Sequence, residues 1–200
     1  MGSREEGPGR DRGASSCRSA VPRVGLLLVW LALVSGCNQT RDPASLAPFV
    51  ASSDILVEEM LALAAVRKDD VVYDLGSGDG RIVIAAARNW GARGVGFELD
   101  ADLVRRSREN ARRAGVAHLV EFRQQDILTV DLSAATVVTI YLSRDANLKL
   151  RPRLLSQLRP GARVVSHEFD MGDWAPTNLR QLPDESGLPR TIYLWTIPPR

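Results

Sequence analysis

Between Val71 and Arg81 the chain reads V-V-Y-D-L-G-S-G-D-G-R, a β-branched run that delivers Asp74 and then glycines at 76, 78 and 80. A segment of helical character, Arg81 to Asn89, follows without a break. Glycine admits positive φ and lets a ligand come close to the main chain. Placed between a strand and a helix N-terminus, such a loop cradles a nucleotide-like ligand. This feature commits the surrounding chain to an α/β architecture.

The spacing narrows the ligand. The dinucleotide fingerprint G-x-G-x-x-G seats a pyrophosphate on the helix N-terminus, but here its sixth position is Arg81, and Asp79 stands inside the loop. Asp79 and Asp74 would both repel a pyrophosphate and both suit a ligand with positive charge, such as a sulfonium bearing an α-ammonium group. A second signal is Gly94-Val95-Gly96-Phe97-Glu98-Leu99-Asp100. It reads as a strand ending in an acid about 20 residues past the glycines, where nucleotide-binding folds place a ribose-binding carboxylate. Glu98 is that candidate, with two oxygens to accept from the ribose hydroxyls; Asp100 is better explained as the N-cap of the next helix.

Elsewhere the pattern alternates as an α/β protein should. A first helix is expected over 54–66, with Leu56, Met60 and Leu63 on one face and Ser53 as cap. Strands are expected over 71–75, 94–98, 118–123, 136–141, 162–167 and 191–197, and helices over 81–89 and 101–114, the latter closed by Gly115. Pro152 suits the first turn of a helix that stops before Pro160-Gly161. No long helix separates the fifth strand from the end, so a hairpin is expected to close the sheet.

The run Asp74-Leu75-Gly76-Ser77-Gly78-Asp79-Gly80 resembles motif I of the class I, seven-β-strand methyltransferases that use S-adenosyl-L-methionine. The resemblance implies a Rossmann-like, mostly parallel sheet with a C-terminal antiparallel hairpin. It assigns cofactor contacts to Asp74, Gly76, Ser77, Gly78, Gly80 and Glu98. It also implies that Asp126, after the third strand, accepts from the adenine amino group while Ile127 packs on the ring; a plain loop Asp is the alternative. Amino-methylating members often carry Asn- or Asp-Pro-Pro-aromatic after the fourth strand, where this chain has Thr139-Ile140-Tyr141-Leu142. That departure argues against adenine-N6 or glutamine-type methylation.

From Phe49 to Pro198 the chain is similar to a narrower group, the membrane-associated protein-lysine methyltransferases related to those that modify the ATP synthase c-subunit and the adenine nucleotide translocase. The matching stretches are 49–52, the motif I block through Ala86, 96–99, 160–166, Trp174 and the closing strand with Trp195. A lysine acceptor has a reference pKa of about 10.4 and must lose a proton before it can react. Burial lowers that pKa, and a carboxylate or hydroxyl could orient the amine. Tyr141, Asp170 and Asp173, in the segments after strands four and five, are the candidates for those roles, with loop or packing duties as the alternative. Trp174 could wall the acceptor channel.

Residues 24–36 are continuously apolar or small and follow a basic leader. The run of about 13 residues is short for a membrane span, which needs about 20, and has the length of a signal-peptide core. Val34-Ser35-Gly36-Cys37 resembles a lipobox, which makes Cys37 a candidate for lipidation; a short uncleaved anchor and a start near Val21 or Val24 are the other readings. The expected organisation is a leader over 1–37, a linker over 38–52 and a methyltransferase domain over 53–200. Membrane association through 24–37 is expected. Its side is left open, because the charge rule exports the chain beyond the apolar run while the cofactor is cytosolic.

The only cysteines, Cys17 and Cys37, lie in the leader, so a disulfide framework and a cysteine metal site are excluded from the domain. The two histidines, His118 and His167, read as structural and no metal is expected. From residue 38 onward, 21 Lys and Arg face 21 Asp and Glu, a balance that argues against phosphate-based nucleic-acid binding. A monomer acting on a protein, a membrane protein among the options, is the leading reading. A small-molecule methyltransferase and a non-catalytic, lipid-anchored module retaining the fold are the alternatives.

Overall fold

The central strands are apolar on both faces, as burial between two helical layers requires. In the computed structural model, which describes residues 52–184 and 187–199, these strands are β1 (Val71–Leu75), β2 (Arg93–Glu98), β4 (Val137–Ile140) and β5 (Arg163–His167), with β3 (Val120–Gln124) outermost. Together with β6 (Asn178–Pro183) and β7 (Pro189–Thr196) they make one seven-stranded sheet in the order β3-β2-β1-β4-β5-β7-β6. The first five are parallel, and β7 runs antiparallel to both β5 and β6. This is the expected α/β sheet with its closing hairpin.

Period-2 alternation sends successive side chains to opposite faces. Val72, Val137 and Val165 join α1 (Asp54–Leu63), α2 (Arg81–Trp90) and α3 (Ala101–Arg113) in one core; Tyr73, Leu75, Val138, Ile140 and Val164 join Leu150, Leu154 and Leu158, in and just after α4 (Arg144–Gln157), and Trp195 in the other. The sheet order reverses between β1 and β4, so a crevice opens at their carboxyl ends, the position where open α/β sheets bind ligands.

Several boundaries differ from expectation for local reasons. The first helix stops at Leu63 because Ala65 turns to φ 50°. Strand three starts at Val120, which leaves His118 in the preceding turn. Pro152 lies in the interior of α4, not in its first turn. Ser143 caps that helix by accepting from the Ala146 N–H at 3.2 Å, and buried Leu150 and Leu154 hold it through the proline. β6 was legible only as half of an unspecified hairpin, since its side chains are nearly all exposed and carry no apolar alternation.

One expectation is corrected. Membrane association through residues 24–37 is not supported: among the described residues no helix is long and apolar enough to cross a membrane. The longest of them has 14 residues, against about 20 for a span. The apolar run itself, the lipidation candidate Cys37, Cys17 and the matching residues 49–51 all lie outside the described residues.

Candidate active site

The glycine loop is tied to the end of β2 by its own backbone. The N–H groups of Gly76 and Ser77 both donate to Phe97 O at 2.9 Å, and the Gly78 N–H donates to Glu98 Oε2 at 2.9 Å. Gly76, Gly78 and Gly80 have φ of 83°, 53° and 82°, values that residues with a Cβ rarely adopt. Gly80 is confined sterically as well, because a Cβ there would lie 2.6 Å from the Phe122 ring. Gly96 stands in register with Asp74, and a Cβ on it would meet Ser77 Oγ at 2.6 Å and Phe122 at 2.7 Å. Phe122 therefore fills the space under the loop that two glycines leave open.

Asp74 and Thr139 are cross-strand neighbours on β1 and β4. The Thr139 hydroxyl donates to Asp74 Oδ1 at 2.7 Å, while Asp74 Oδ2 is buried and has no partner. Burial dominates and pushes the Asp74 carboxyl up to about 7, with Glu98 and Asp79 adding repulsion and Thr139 acting against them. Ser77 Oγ is a second buried atom without a partner at the loop. Asp79 is different: Arg81 Nε and Nη2 donate to its two oxygens at 3.0 and 2.8 Å, and this pairing keeps its carboxyl below the usual range despite burial. Of the two acids that suggested a cationic ligand, only Asp74 keeps a free oxygen. Arg81 also donates to Ser52 O and so anchors the chain just before α1.

Glu98 sits at the end of β2 with its carboxylate already in use. Oε2 accepts from Gly78, and Oε1 accepts from the N–H groups of Leu99 (2.7 Å) and Asp100 (3.1 Å). A carboxylate has about four acceptor positions, so ribose hydroxyls would share or displace these amides. Asp126 follows β3 and accepts from the Leu128 N–H at 2.9 Å, starting a short 3-10 turn in which Ile127 is buried. The neighbouring Gln125 N–H donates to Glu98 O at 3.0 Å, so both acids border one loop cluster. The loop glycines, the unpartnered Asp74 Oδ2 and Ser77 Oγ, and the two strand-end acids fit an adenosyl group carrying an ammonium and a sulfonium.

On the other side of the crevice, Leu142 packs over Gly76, and the Tyr141 ring lies 4.1 Å from the His167 ring at the end of β5. Burial raises the Tyr141 hydroxyl and lowers His167 to about 4, which leaves the imidazole neutral near pH 7. Asp170 accepts from the Gly172 N–H at 2.8 Å and lies 3.3 Å from Arg144, while Asp173 is paired with Arg151 and largely exposed. The loop carrying them is pinned by Asn147, whose amide donates to Ser166 Oγ, Phe169 O and Asp170 O. Trp174 lies against Trp195, whose indole N–H donates to Trp174 O at 2.7 Å. Thr139, Asn147 and Glu168 are not singled out by the sequence: Thr139 carries the signal of a polar residue in an apolar strand, whereas Asn147 sits in a polar-rich helix and Glu168 in the segment just after β5, where nothing local distinguishes them.

A sheet of this order with a glycine loop after β1 and an acid after β2 defines a class I S-adenosyl-L-methionine-dependent methyltransferase. The profile of the ANTKMT methyltransferase domain matches residues 74–178, and the chain belongs to that family. It is 39% identical over 151 residues to a protein-lysine N-methyltransferase of Saccharolobus islandicus, covering 75% of this chain and 93% of that protein. It is 36% identical over 132 residues to the ATP synthase c-subunit lysine N-methyltransferase of Xenopus laevis, covering 66% of this chain. The match spans only 58% of that longer protein. Among solved structures, one described as an RNA methyltransferase from Salinibacter ruber in complex with S-adenosyl-L-homocysteine is 58% identical, with a TM-score of 0.70 and coverage of 76% of this chain and 95% of that one. The chain is a methyltransferase enzyme and S-adenosyl-L-methionine is its cofactor.

Proposed function

We propose that this enzyme methylates the side-chain amine of lysine in a protein. The observation that carries the reading is the 39% identity to the Saccharolobus protein-lysine N-methyltransferase, which extends over 93% of that protein. The chemistry of the crevice supports it. The segment after β5 carries Glu168, Asp170 and Asp173, proposed to border the acceptor, while the nearby arginines 144, 151 and 190 are paired with Asp170, Asp173 and Asp184. These three pairs cancel one another and leave the Glu168 carboxylate in excess, a local negative charge that attracts an ammonium group and opposes a phosphate backbone.

The cofactor supplies an electrophilic methyl group on sulfur. Asp74 Oδ2 is the proposed partner of its α-ammonium group, Ser77 and the glycine amides its main-chain cradle, Glu98 its ribose acceptor, and Asp126 with Ile127 its adenine contacts. Tyr141 is proposed to border the acceptor. Asp170 and Asp173 act there through field and loop shape, because their carboxylates are engaged by Gly172, Arg144 and Arg151. Positioning of this kind, with no covalent help, can supply several kcal/mol of rate enhancement.

A second reading is methylation of RNA, favoured by the description of the Salinibacter structure. The deciding experiment gives the purified full chain methyl-labelled S-adenosyl-L-methionine together with bacterial protein and RNA extracts. Label is expected in protease-sensitive, nuclease-resistant bands that yield methyl-lysine on digestion, and it should be lost with Asp74→Asn. Nuclease-sensitive label would establish the RNA reading instead, and label confined to small molecules would remove both.

A further inference from the structure

Glu168 has a backbone that a glutamate rarely takes. It follows β5 with φ 68°, and one other non-glycine residue among those described, Ala65, shares a positive φ. The Phe169 N–H donates to His167 O at 2.9 Å across it, which makes Glu168 the centre of a three-residue γ-turn in its rare, strained form. The Glu168 N–H is fixed in turn to Thr191 O at 2.7 Å. Strain of this sort persists only where the surroundings overdetermine it, and it clusters at functional positions. A glycine would relieve it, yet the chain places a carboxylate there.

The turn delivers a carboxylate with an unfilled position. Glu168 Oε2 is buried and accepts no hydrogen bond. Its nearest cationic neighbour, Arg190 Nη1, is 3.9 Å away, because Arg190 is drawn to Asp184 at 2.8 Å. His167 Nε2 lies 3.6 Å from the same oxygen. Both separations exceed hydrogen-bond length. His167 is only 3% exposed, and neither of its ring nitrogens has a partner. Tyr141 closes the group from β4 with its ring on His167. Neighbouring strands lie about 4.8 Å apart, and Ile140 is in register with both Leu75 and Ser166. Glu168 therefore stands about two strands from the glycine loop, on the acceptor side of the crevice.

We propose that Glu168 is the acceptor-binding residue: its Oε2, with the neutral His167 imidazole and the Tyr141 ring, receives the N–H groups of an alkylammonium side chain and selects a cationic amine. This rests on the lysine reading and extends it to a named subsite. The carboxylate and the imidazole nitrogen both accept hydrogen bonds, and a ring face adds attraction for a cation. A hydroxyl or a base amide would leave the carboxylate charge unpaired, which is the basis of selection.

The test uses the full chain, bacterial protein extract as acceptor and n-butylammonium as competitor. Wild type should label protein lysine and be inhibited competitively by n-butylammonium but not by n-butanol. Glu168→Gln should raise the apparent KM for acceptor tenfold or more, lose inhibition by n-butylammonium, and bind S-adenosyl-L-homocysteine with unchanged affinity. Glu168→Gly, relieved of the strained φ, should melt at the same or a higher temperature and be equally impaired, an outcome a purely structural role would not give. Lysine labelling by Glu168→Gln within twofold of wild type, with competition retained, would overturn the proposal and leave the lysine reading intact. So would a Glu168→Gly that loses thermal stability and S-adenosyl-L-homocysteine binding together. Wild-type label in RNA alone would overturn the lysine reading and this subsite with it.

Discussion

At the scale of single residues, Asp74 is under opposing demands. Burial raises its folded pKa to about 7, so its contribution to the stability of the ligand-free protein is present at low pH and lost as pH rises through about 7. His167, lowered to about 4 by burial, works the other way, and its contribution is lost as pH falls below its ordinary range. Below about pH 6.5, the ordinary His value, the two slopes oppose one another; above it only that of Asp74 remains. The melting temperature of Asp74→Asn should accordingly exceed that of wild type by a margin that widens from pH 5 to about pH 7 and then levels off. Over the same window calorimetry should show wild type binding S-adenosyl-L-homocysteine more tightly, as the carboxylate forms and meets the ligand's ammonium; a flat profile would remove Asp74 from that role. Glu98 presents a different case, since its carboxylate also holds the amides of Gly78, Leu99 and Asp100. Glu98→Ala should lower stability by about 1–3 kcal/mol by leaving those donors unmet, as well as weakening the cofactor. Glu98→Gln should keep most of the fold stability while weakening the cofactor about tenfold, a separation that paired melting and calorimetry can read. The acids themselves were legible from spacing, but Arg81 answering Asp79, Thr139 answering Asp74 and the turn at Glu168 were not. The first depends on the folded shape of the loop, the second on contact between strands, and the third on a backbone angle held by the bond from Glu168 N–H to Thr191 O.

Among the elements, α4 and the β1–α2 loop show where local rules hold and where packing overrides them. Pro152 removes one hydrogen bond from the middle of α4 and is itself exposed. A proline inside a helix costs about 3 kcal/mol, partly offset by the stiffer unfolded chain. Pro152→Ala should therefore raise stability by about 1–2 kcal/mol in a denaturant titration, with cofactor binding unchanged. The loop has no such tolerance. Gly96→Ala would drive a methyl group into Ser77 and Phe122, so it should both destabilise the fold and abolish S-adenosyl-L-homocysteine binding. An alanine variant that still bound would show that the loop can shift, against the close fit beneath it. Gly96 was visible in the sequence as part of a strand; that it faces Asp74 and makes room for Ser77 follows from sheet register alone.

For the molecule as a whole, the C-terminal hairpin completes the sheet beside β5 and braces the segment that follows it. β7 sets Trp195 into the second core, fully buried, and its indole N–H reaches Trp174 O in the segment that follows β5. Trp195→Phe keeps an aromatic ring but leaves that carbonyl without its donor, a loss of about 1–3 kcal/mol. It should slow methyl transfer more than it weakens S-adenosyl-L-homocysteine binding, because the released segment is the one proposed to border the acceptor. Equal losses in both would mean that the hairpin supports the sheet without shaping the acceptor side. The sequence by itself determined the sheet class, the glycine loop and the strand-end acids, because these depend on φ, on side-chain period and on short spacings along one chain. The tertiary structure alone decided which acids remain unpaired, which helix tolerates a proline, and that residues 74, 98, 141 and 168 share one rim. Those properties depend on the register of strands that lie far apart in the chain, 65 residues in the Thr139–Asp74 bond, and no local pattern encodes which side chains meet across that distance.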